Sequence, residues 1–384
     1  MNNLLKPKNV LYLHPTADLY GGTKILLEII EFLPREQFNP IVILPNSGPL
    51  EKVLSQLQVE YYVHPITVVR RGSVKGFALV KFLLAILPNI IWMALFIRAH
   101  KIDLVHTQTM VVLTGAFAAK LAGKPHIWHI HEIVSEEFPK LWGFYCRLIV
   151  NLSNRIVCIS NVTAEQFPDR TKVRIIPNGI DLQAFAKGPA QGQQKEGLIN
   201  IGVIGRISPR KGQAYLLDAF IDLLHRQKEN SPHLFIVGDI FTGYEYYLQE
   251  LKNKVSEAGL EVMVTFTGFI EDMTTIYPLL DIVVVPSILP EGFGLVVLEA
   301  MASHLPVIAT DHGGPLETIE PNISGLLVPH DDVSLLADAL DFLISHPEER
   351  ERLGEGGYQR VKQVFSIEIT TNLVMQTYDD ILIA

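Results

Sequence analysis

Along most of the chain, short apolar runs rich in Val, Ile and aromatic residues alternate with longer stretches whose apolar positions recur at helical spacing. That alternation predicts parallel sheets built from βαβ units. In the first half the predicted strands are NVLYLH, PIVILP, VEYYVH, DLVHTQ, HIWHIH, RIVCIS and KVRIIP. A second series follows with LINIGVIG, HLFIVGD, VMVTFTG, DIVVVPS, LPVIATD and GLLVP. Between the two series the periodicity is lost and residues 182–197 fill with Gly, Gln and Ala, the composition of a linker. After Val328 three helical segments begin near Asp331, His346 and Ser366. The pattern therefore predicts an α/β chain of two Rossmann-like domains, 1–181 and 198–346, with further helices over 347–384.

Two stretches break the pattern. LVVLEAMA, residues 295–302, is apolar on every side of a helical wheel yet carries Glu299 in its middle, eight positions after Glu291 in PEGFG. A helix apolar all round is normally buried, and a buried carboxylate without partners costs several kcal/mol, so Glu299 must hold something. The second stretch is Phe77 to Ile97, close to the length of a bilayer span but interrupted by Lys81, Pro88 and Asn89. It reads first as a buried or interfacial helix of the first domain. Its second reading is a patch that docks on an anionic membrane, because Arg70, Arg71, Lys75, Arg98 and Lys101 flank it.

Charge sharpens this picture. The chain of 384 residues has a net charge of −9, but residues 1–190 carry 20 basic against 13 acidic side chains while the remainder carries 12 against 28. The acidic total makes nucleic acid a poor partner, whereas the basic half suits anionic lipid or a phosphate-bearing substrate. The two cysteines show no metal-ligand or disulfide spacing, and the first apolar run lacks a cleavage site, so a reducing cytoplasmic setting is expected.

In open α/β sheets ligands bind beyond the carboxyl ends of the strands, where loops enter helices. Those positions hold Gly21 and Gly22, then His131, Asn178, Gly205 with Arg206, Lys211, Gly238, Gly268, the Glu291 loop, and Gly313 with Gly314. Two cations about one strand-to-helix turn, Arg206 and Lys211, suit a diphosphate. No G-x-G-x-x-G opens a helix after a strand, which argues against a dinucleotide-dependent dehydrogenase.

EGFGLVVLEAMA resembles the E-x7-E signature of the retaining family 4 (group 1) glycosyltransferases of the GT-B fold. The likeness extends along the chain through GGTK, KIDLVHTQ, RIVCIS, IIPNGIDLQAF, GVIGRISPRKGQAYLLDAF, LFIVGD, VTFTGFIEDM and LPVIATDHGGPLETI. It implies two domains facing each other across a cleft, with helices 347–384 packing back on the first. Glu291, with the backbone at Phe293, Gly294 and Leu295, is then expected to contact the donor sugar, and Glu299 the ribose. Arg206 and Lys211 would neutralise the departing diphosphate, and His131 would touch the donor sugar near the reaction centre. Gly22, Asn178, Gly205, Gly238 and Gly268 complete the implied donor contacts, while Gly21, Gly22, Arg70 and Arg71 are expected at the acceptor. The resemblance implies a retaining hexosyl transfer from a nucleotide sugar to a glycan or lipid-linked acceptor at the cytoplasmic face of a membrane. No D-x-D triplet occurs, so neither a metal nor another cofactor is expected. A nucleotide-sugar epimerase on the same fold, or a nucleotide-sugar-binding subunit serving a partner, are the alternatives. Three departures stand out: Thr23-Lys24 after the glycine pair, where relatives carry an acid nearby, Ser303-His304 in place of Gly, and Ser324 in place of Asn.

Overall fold

The computed structural model describes residues 6–19, 21–69, 76–134, 142–186, 198–226, 231–240 and 243–383, without the side chains of 76–81, 83 and 231. The chain divides into two compact units, residues 1–179 with 367–384, and residues 180–366.

The first unit runs β1 (Lys8–Leu13), α1 (Gly21–Phe32), β2 (Phe38–Leu44), α2 (Leu50–Gln56), β3 (Glu60–Val63), α3 (Gly76–Ala99), β4 (Leu104–Thr107), α4 (Thr114–Ala122), β5 (His126–Ile130), α5 (Trp142–Leu152), β6 (Arg155–Cys158), α6 (Asn161–Ala164) and β7 (Val173–Ile175). Its seven strands form one sheet in the order β3-β2-β1-β4-β5-β6-β7, every pairing parallel. The central strands β4 and β5 are buried throughout, as in parallel sheets covered by helices on both faces. The strand order reverses between β1 and β4, and the loops at that switch point are where such folds bind ligands.

In the second unit the order is β8 (Leu198–Ile204), α7 (Gln213–Arg226), β9 (Ser231–Val237), α8 (Glu245–Glu257), β10 (Val264–Gly268), β11 (Ile282–Val285), α9 (Leu295–Ala302), β12 (Val307–Thr310), α10 (Pro315–Thr318), β13 (Leu326–Val328), α11 (Val333–Ser345) and α12 (Pro347–Val364). Its six strands are again all parallel, in the order β10-β9-β8-β11-β12-β13, with the switch point between β8 and β11. Leu216, Leu217, Phe220, Leu234, Ile236, Val284, Leu336 and Leu340 fill the core on one face of this sheet. Asp332 caps α11 by accepting from the Leu335 N–H at 3.0 Å.

The C-terminal helices do not act as one block. α12 belongs to the second unit, where Gly354 lies so close to the turn after α9 that a Cβ there would sit 2.2 Å from the His304 carbonyl oxygen. Only α13 (Ile367–Leu382) groups with the first unit. It is anchored by Tyr378, which meets Tyr12 of β1 at 2.8 Å and His106 of β4 at 2.6 Å, and by Arg174 of β7, which donates to Thr377 at 3.0 Å.

α3 is packed by one face, with Ile86, Met93, Ala94, Phe96 and Ile97 buried in the cores of the first unit. Among the described residues no helix is long and apolar enough to cross a membrane.

Candidate functional site

In the second unit the expected donor residues converge on the carboxyl ends of β8, β9, β10 and β11. The Gly205 N–H donates to the Val237 carbonyl at 2.9 Å and the Gly238 N–H to the Gly268 carbonyl at 3.0 Å, tying the ends of three adjacent strands together. Beyond Gly205 the chain passes exposed Arg206 and a single 3-10 turn, Pro209–Lys211, before α7. Gly212 has φ +70°, and a Cβ there would lie 1.8 Å from the Pro286 carbonyl oxygen, so only glycine lets this turn press against the end of β11.

That close approach delivers Lys211 to Glu291. The ammonium donates to Glu291 Oε1 at 2.8 Å, with the two side chains 29% and 12% exposed. Ser287 donates its hydroxyl to the same oxygen, while its carbonyl accepts from Thr310 Oγ1 at 2.7 Å and His312 Nε2 at 2.6 Å. Arg210 donates to the Pro290 carbonyl at 2.6 Å, and the Gly314 N–H to the Glu291 carbonyl at 2.8 Å, so the loop is held on both sides. Burial alone would push the Glu291 carboxyl up, but the Lys211 charge and hydrogen bond, Ser287 and Arg210 outweigh it and hold the acid below its ordinary value. Glu291 is thus an ionised carboxylate with one oxygen engaged by protein, the state suited to accepting from hydroxyls.

Glu299 is 6% exposed, and its Oε2 accepts from the Tyr277 hydroxyl at 2.6 Å. Tyr277 is itself buried, edge-on to Phe185 with ring centroids 5.6 Å apart, and burial beside Glu299 pushes its phenol far above its ordinary value. The phenol therefore stays a donor. Gly294, at φ +90°, begins α9, while Phe293 is buried against Phe365 and Leu295 is the first helical residue. These backbone N–H groups open a helix N-terminus beside Glu291.

The first unit carries the other expected residues. Gly21 and Gly22 open α1, and a Cβ on either would meet nothing within 4 Å. His14, just beyond β1, bonds Thr23 of that helix at 2.8 Å. His131 follows β5 and meets Gln108 Oε1 through Nε2 at 2.7 Å, so the ring donates from Nε2. Glu132 beside it receives the Thr109 hydroxyl, the Met110 N–H at 2.8 Å and the His131 N–H at 3.1 Å, and burial nevertheless raises its carboxyl above the ordinary range. Behind His131 the imidazoles of His129 and His106 form a column, with centroids 4.3 Å and 5.3 Å apart. Burial holds His106 and His126 at about 3, His14 at about 4, and His129 and His131 well below the ordinary histidine value. His131 is therefore a neutral hydrogen-bonding ring at physiological pH, not a cation. Asn178 lies in the first unit and is buried. Arg70 and Arg71 lie outside the described residues.

Four residues that sequence reasoning did not single out complete these clusters: Tyr277, Ser287, His312 and Gln108. Ser287, His312 and Gln108 each stand just past a strand end, the same positional signal that picked out His131. Among the described residues no group of three His, Cys, Asp or Glu side chains is arranged to hold a metal ion.

Comparisons with known proteins place the chain in a family. The Glycosyltransferase Family 4 profile matches residues 20–184, and the Glycosyl transferases group 1 profile matches residues 186–360. A UDP-Gal:alpha-D-GlcNAc-diphosphoundecaprenol alpha-1,3-galactosyltransferase of Escherichia coli is 26% identical over 84% of this chain and 84% of its own. A D-inositol 3-phosphate glycosyltransferase of Frankia alni is 34% identical, over 55% of this chain and 53% of its own. A GDP-mannose-dependent alpha-(1-6)-phosphatidylinositol monomannoside mannosyltransferase of Mycobacterium tuberculosis is 28% identical over 63% of this chain and 66% of its own. This chain thus spans about half to two thirds of those last two relatives. Among solved structures, Anabaena HepE in complex with UDP and glucose matches with a TM-score of 0.81 at 24% identity, over 97% of this chain and all of that one. WaaG, a glycosyltransferase involved in lipopolysaccharide biosynthesis, matches with a TM-score of 0.68 at 15% identity, over 97% of this chain and 99% of that one. At these identities the structural likenesses speak for the fold, while the two profiles adjoin and together take in most of the sequence. The chain belongs to the family 4, group 1 glycosyltransferases.

Proposed function

We propose that the chain transfers a hexosyl group from a nucleoside diphosphate sugar to a lipid-linked or other glycan-precursor acceptor, with retention of anomeric configuration and without a metal. The observation that carries this reading is the Lys211–Glu291 pair at 2.8 Å, set beside the start of α9 and one strand end from Arg206. Cations in such a cluster suit a diphosphate, and an ionised acid suits sugar hydroxyls. Glu299 is the ribose acceptor, buried and oriented by Tyr277.

In the reaction the bond from the sugar's anomeric carbon to the β-phosphate oxygen breaks, and a bond to the acceptor oxygen forms on the face the nucleotide leaves. The acceptor proton passes to a phosphate oxygen. Negative charge grows on the diphosphate as it departs, so fixed cations at Arg206 and Lys211 stabilise the transition state more than the ground state. His131, neutral and donating to Gln108, contributes hydrogen bonding to the sugar rather than proton transfer. The basic first unit receives the acceptor. The Escherichia coli and Mycobacterium relatives are named for lipid-borne acceptors, which supports that class.

The test is incubation with UDP-, GDP- and ADP-sugars and a polyprenyl-diphosphate glycan, with and without EDTA, followed by NMR of the new linkage. An α-donor giving an α-product at an EDTA-insensitive rate supports the reading. An inverted product or EDTA inhibition contradicts it, and a changed sugar nucleotide formed without acceptor points to an epimerase.

A further inference from the structure

We propose that the outward face of α3 is a docking surface for an anionic lipid bilayer, an inference that rests on the lipid-linked acceptor proposed above. Leu84, Leu87, Ile91 and Leu95 are 67%, 59%, 55% and 59% exposed. Their spacing of three, four and four residues places them in one row on the helix, about 16 Å long. The opposite face, with Ile86, Met93, Ala94, Phe96 and Ile97, is buried in the core. Between Leu84 and Ile97, α3 is therefore apolar on both faces among its described side chains, whereas a helix on the surface of a soluble unit charges its outward side. Because its inner face is locked into the unit, the helix lies along a membrane surface and does not cross it.

Charge decides what covers the row. From Tyr61 to Ile102 the sequence contains no Asp or Glu, but it has six basic residues: Arg70, Arg71, Lys75, Lys81, Arg98 and Lys101. In the structure Arg98 and Lys101 are exposed just past the row, and Lys120 and Leu121 are exposed at the end of α4. Arg98 donates to the Leu121 carbonyl at 2.7 Å, joining those two helix ends into one basic rim. Pairing this face with a second copy of the chain would bring two acid-free basic segments together, which like-charge repulsion opposes. An anionic leaflet offers both things the face lacks, an apolar layer for the leucine row and negative headgroups for the rim.

The experiment is flotation of the full chain with phosphatidylglycerol–phosphatidylcholine vesicles and with pure phosphatidylcholine vesicles. The wild type is compared with Leu87→Gln/Ile91→Gln and with Lys101→Gln/Lys120→Gln. The wild type is expected to bind the anionic vesicles, less so at high salt, and poorly to the neutral ones. The apolar double variant is expected to lose affinity by about tenfold or more. The basic double variant is expected to lose affinity and part of its salt dependence. Nucleotide-sugar-dependent thermal stabilisation, measured on the same preparations, reports on the donor residues of the other unit and should be unchanged in both variants. Failure of vesicle binding with stabilisation intact overturns the docking surface alone. Loss of stabilisation in the wild type with binding intact overturns the enzymatic reading alone. Wild-type binding retained in Leu87→Gln/Ile91→Gln, or a dimer in sedimentation that this variant splits, also overturns the proposal.

Discussion

Acid should unfold the first unit before the second, and the magnitude follows from its histidines. His14, His106, His126, His129 and His131 are held neutral in the folded state, mainly by burial, at values well below their ordinary 6.5. Below about pH 6.5 the unfolded chain takes up protons on these rings while the folded chain does not, so stability falls as pH falls. Each withheld proton removes about 1.4 kcal/mol per pH unit. Glu132 works the other way, because its raised carboxyl binds a proton in the folded state that the unfolded chain has released. The net loss between pH 6 and 5 is on the order of 5 kcal/mol, comparable with the roughly 5–15 kcal/mol that holds a domain together. All three tryptophans, Trp92, Trp128 and Trp142, lie in the first unit, so their fluorescence reports its unfolding while circular dichroism reports both units. Denaturant titrations from pH 7.5 to 4.5 should therefore show the fluorescence midpoint falling ahead of the second-unit transition. The sharpest control is His129→Phe. Neither ring nitrogen of His129 has a hydrogen-bond partner among the described residues, so a phenyl ring keeps the stack and removes one titrating group. The variant should flatten the pH slope of first-unit stability by about 1.4 kcal/mol per pH unit and gain stability at pH 5. An unchanged slope, or fluorescence and dichroism moving together, would mean that the buried histidines do not set the acid stability of the first unit.

In the second unit, Lys211→Met removes the main force holding the Glu291 carboxyl down and should cost roughly 2 kcal/mol at pH 7.5, less than a fully buried pair because the lysine is partly exposed. The deficit should shrink toward pH 4 as Glu291 protonates, and Lys211→Met/Glu291→Gln should be less destabilised than the two single changes added, as read in denaturant titrations. Tyr277→Phe deletes a buried donor to a carboxylate and should cost roughly 1.5–3 kcal/mol, with weaker nucleotide binding by calorimetry. Gln108→Leu leaves His131 without its amide acceptor and should slow transfer by about tenfold or more, while the second-unit unfolding transition stays unchanged. An equal loss with Gln108→Glu, which restores an acceptor oxygen, would argue against the hydrogen bond as the cause.

The strands were legible because each is a short apolar run closed by a turn, and a parallel sheet covered on both faces demands such runs. Glu299 was legible for the opposite reason, as an acid where the pattern calls for an apolar residue. Its partner was not. Tyr277 lies 22 positions earlier in a 3-10 turn, and an aromatic before an apolar strand looks like any core residue until the fold brings its hydroxyl to the carboxylate. Gln108 stands at a strand end, but its pairing with His131 was hidden in the same way. It meets His131 because β4 and β5 are neighbours in the sheet, which follows from strand order and not from any local motif. The sequence pattern groups helices 347–384 together and does not show the division at Ser366. Three glycines in α12, Gly354, Gly356 and Gly357, signal close approach to another backbone, and the structure shows that backbone to be the second unit's own.

Everything proposed for the second unit rests on its binding a nucleoside diphosphate sugar through Lys211, Glu291 and Glu299. Thermal unfolding of the wild type, Glu299→Ala and Lys211→Ala with a panel of UDP-, GDP- and ADP-sugars measures that binding. Ligand at about a hundred times its dissociation constant stabilises the folded state by roughly 2.7 kcal/mol. One nucleotide family should raise the second-unit midpoint in the wild type and fail to do so in both variants. No shift with any of them, or a shift that survives in both variants, would contradict it.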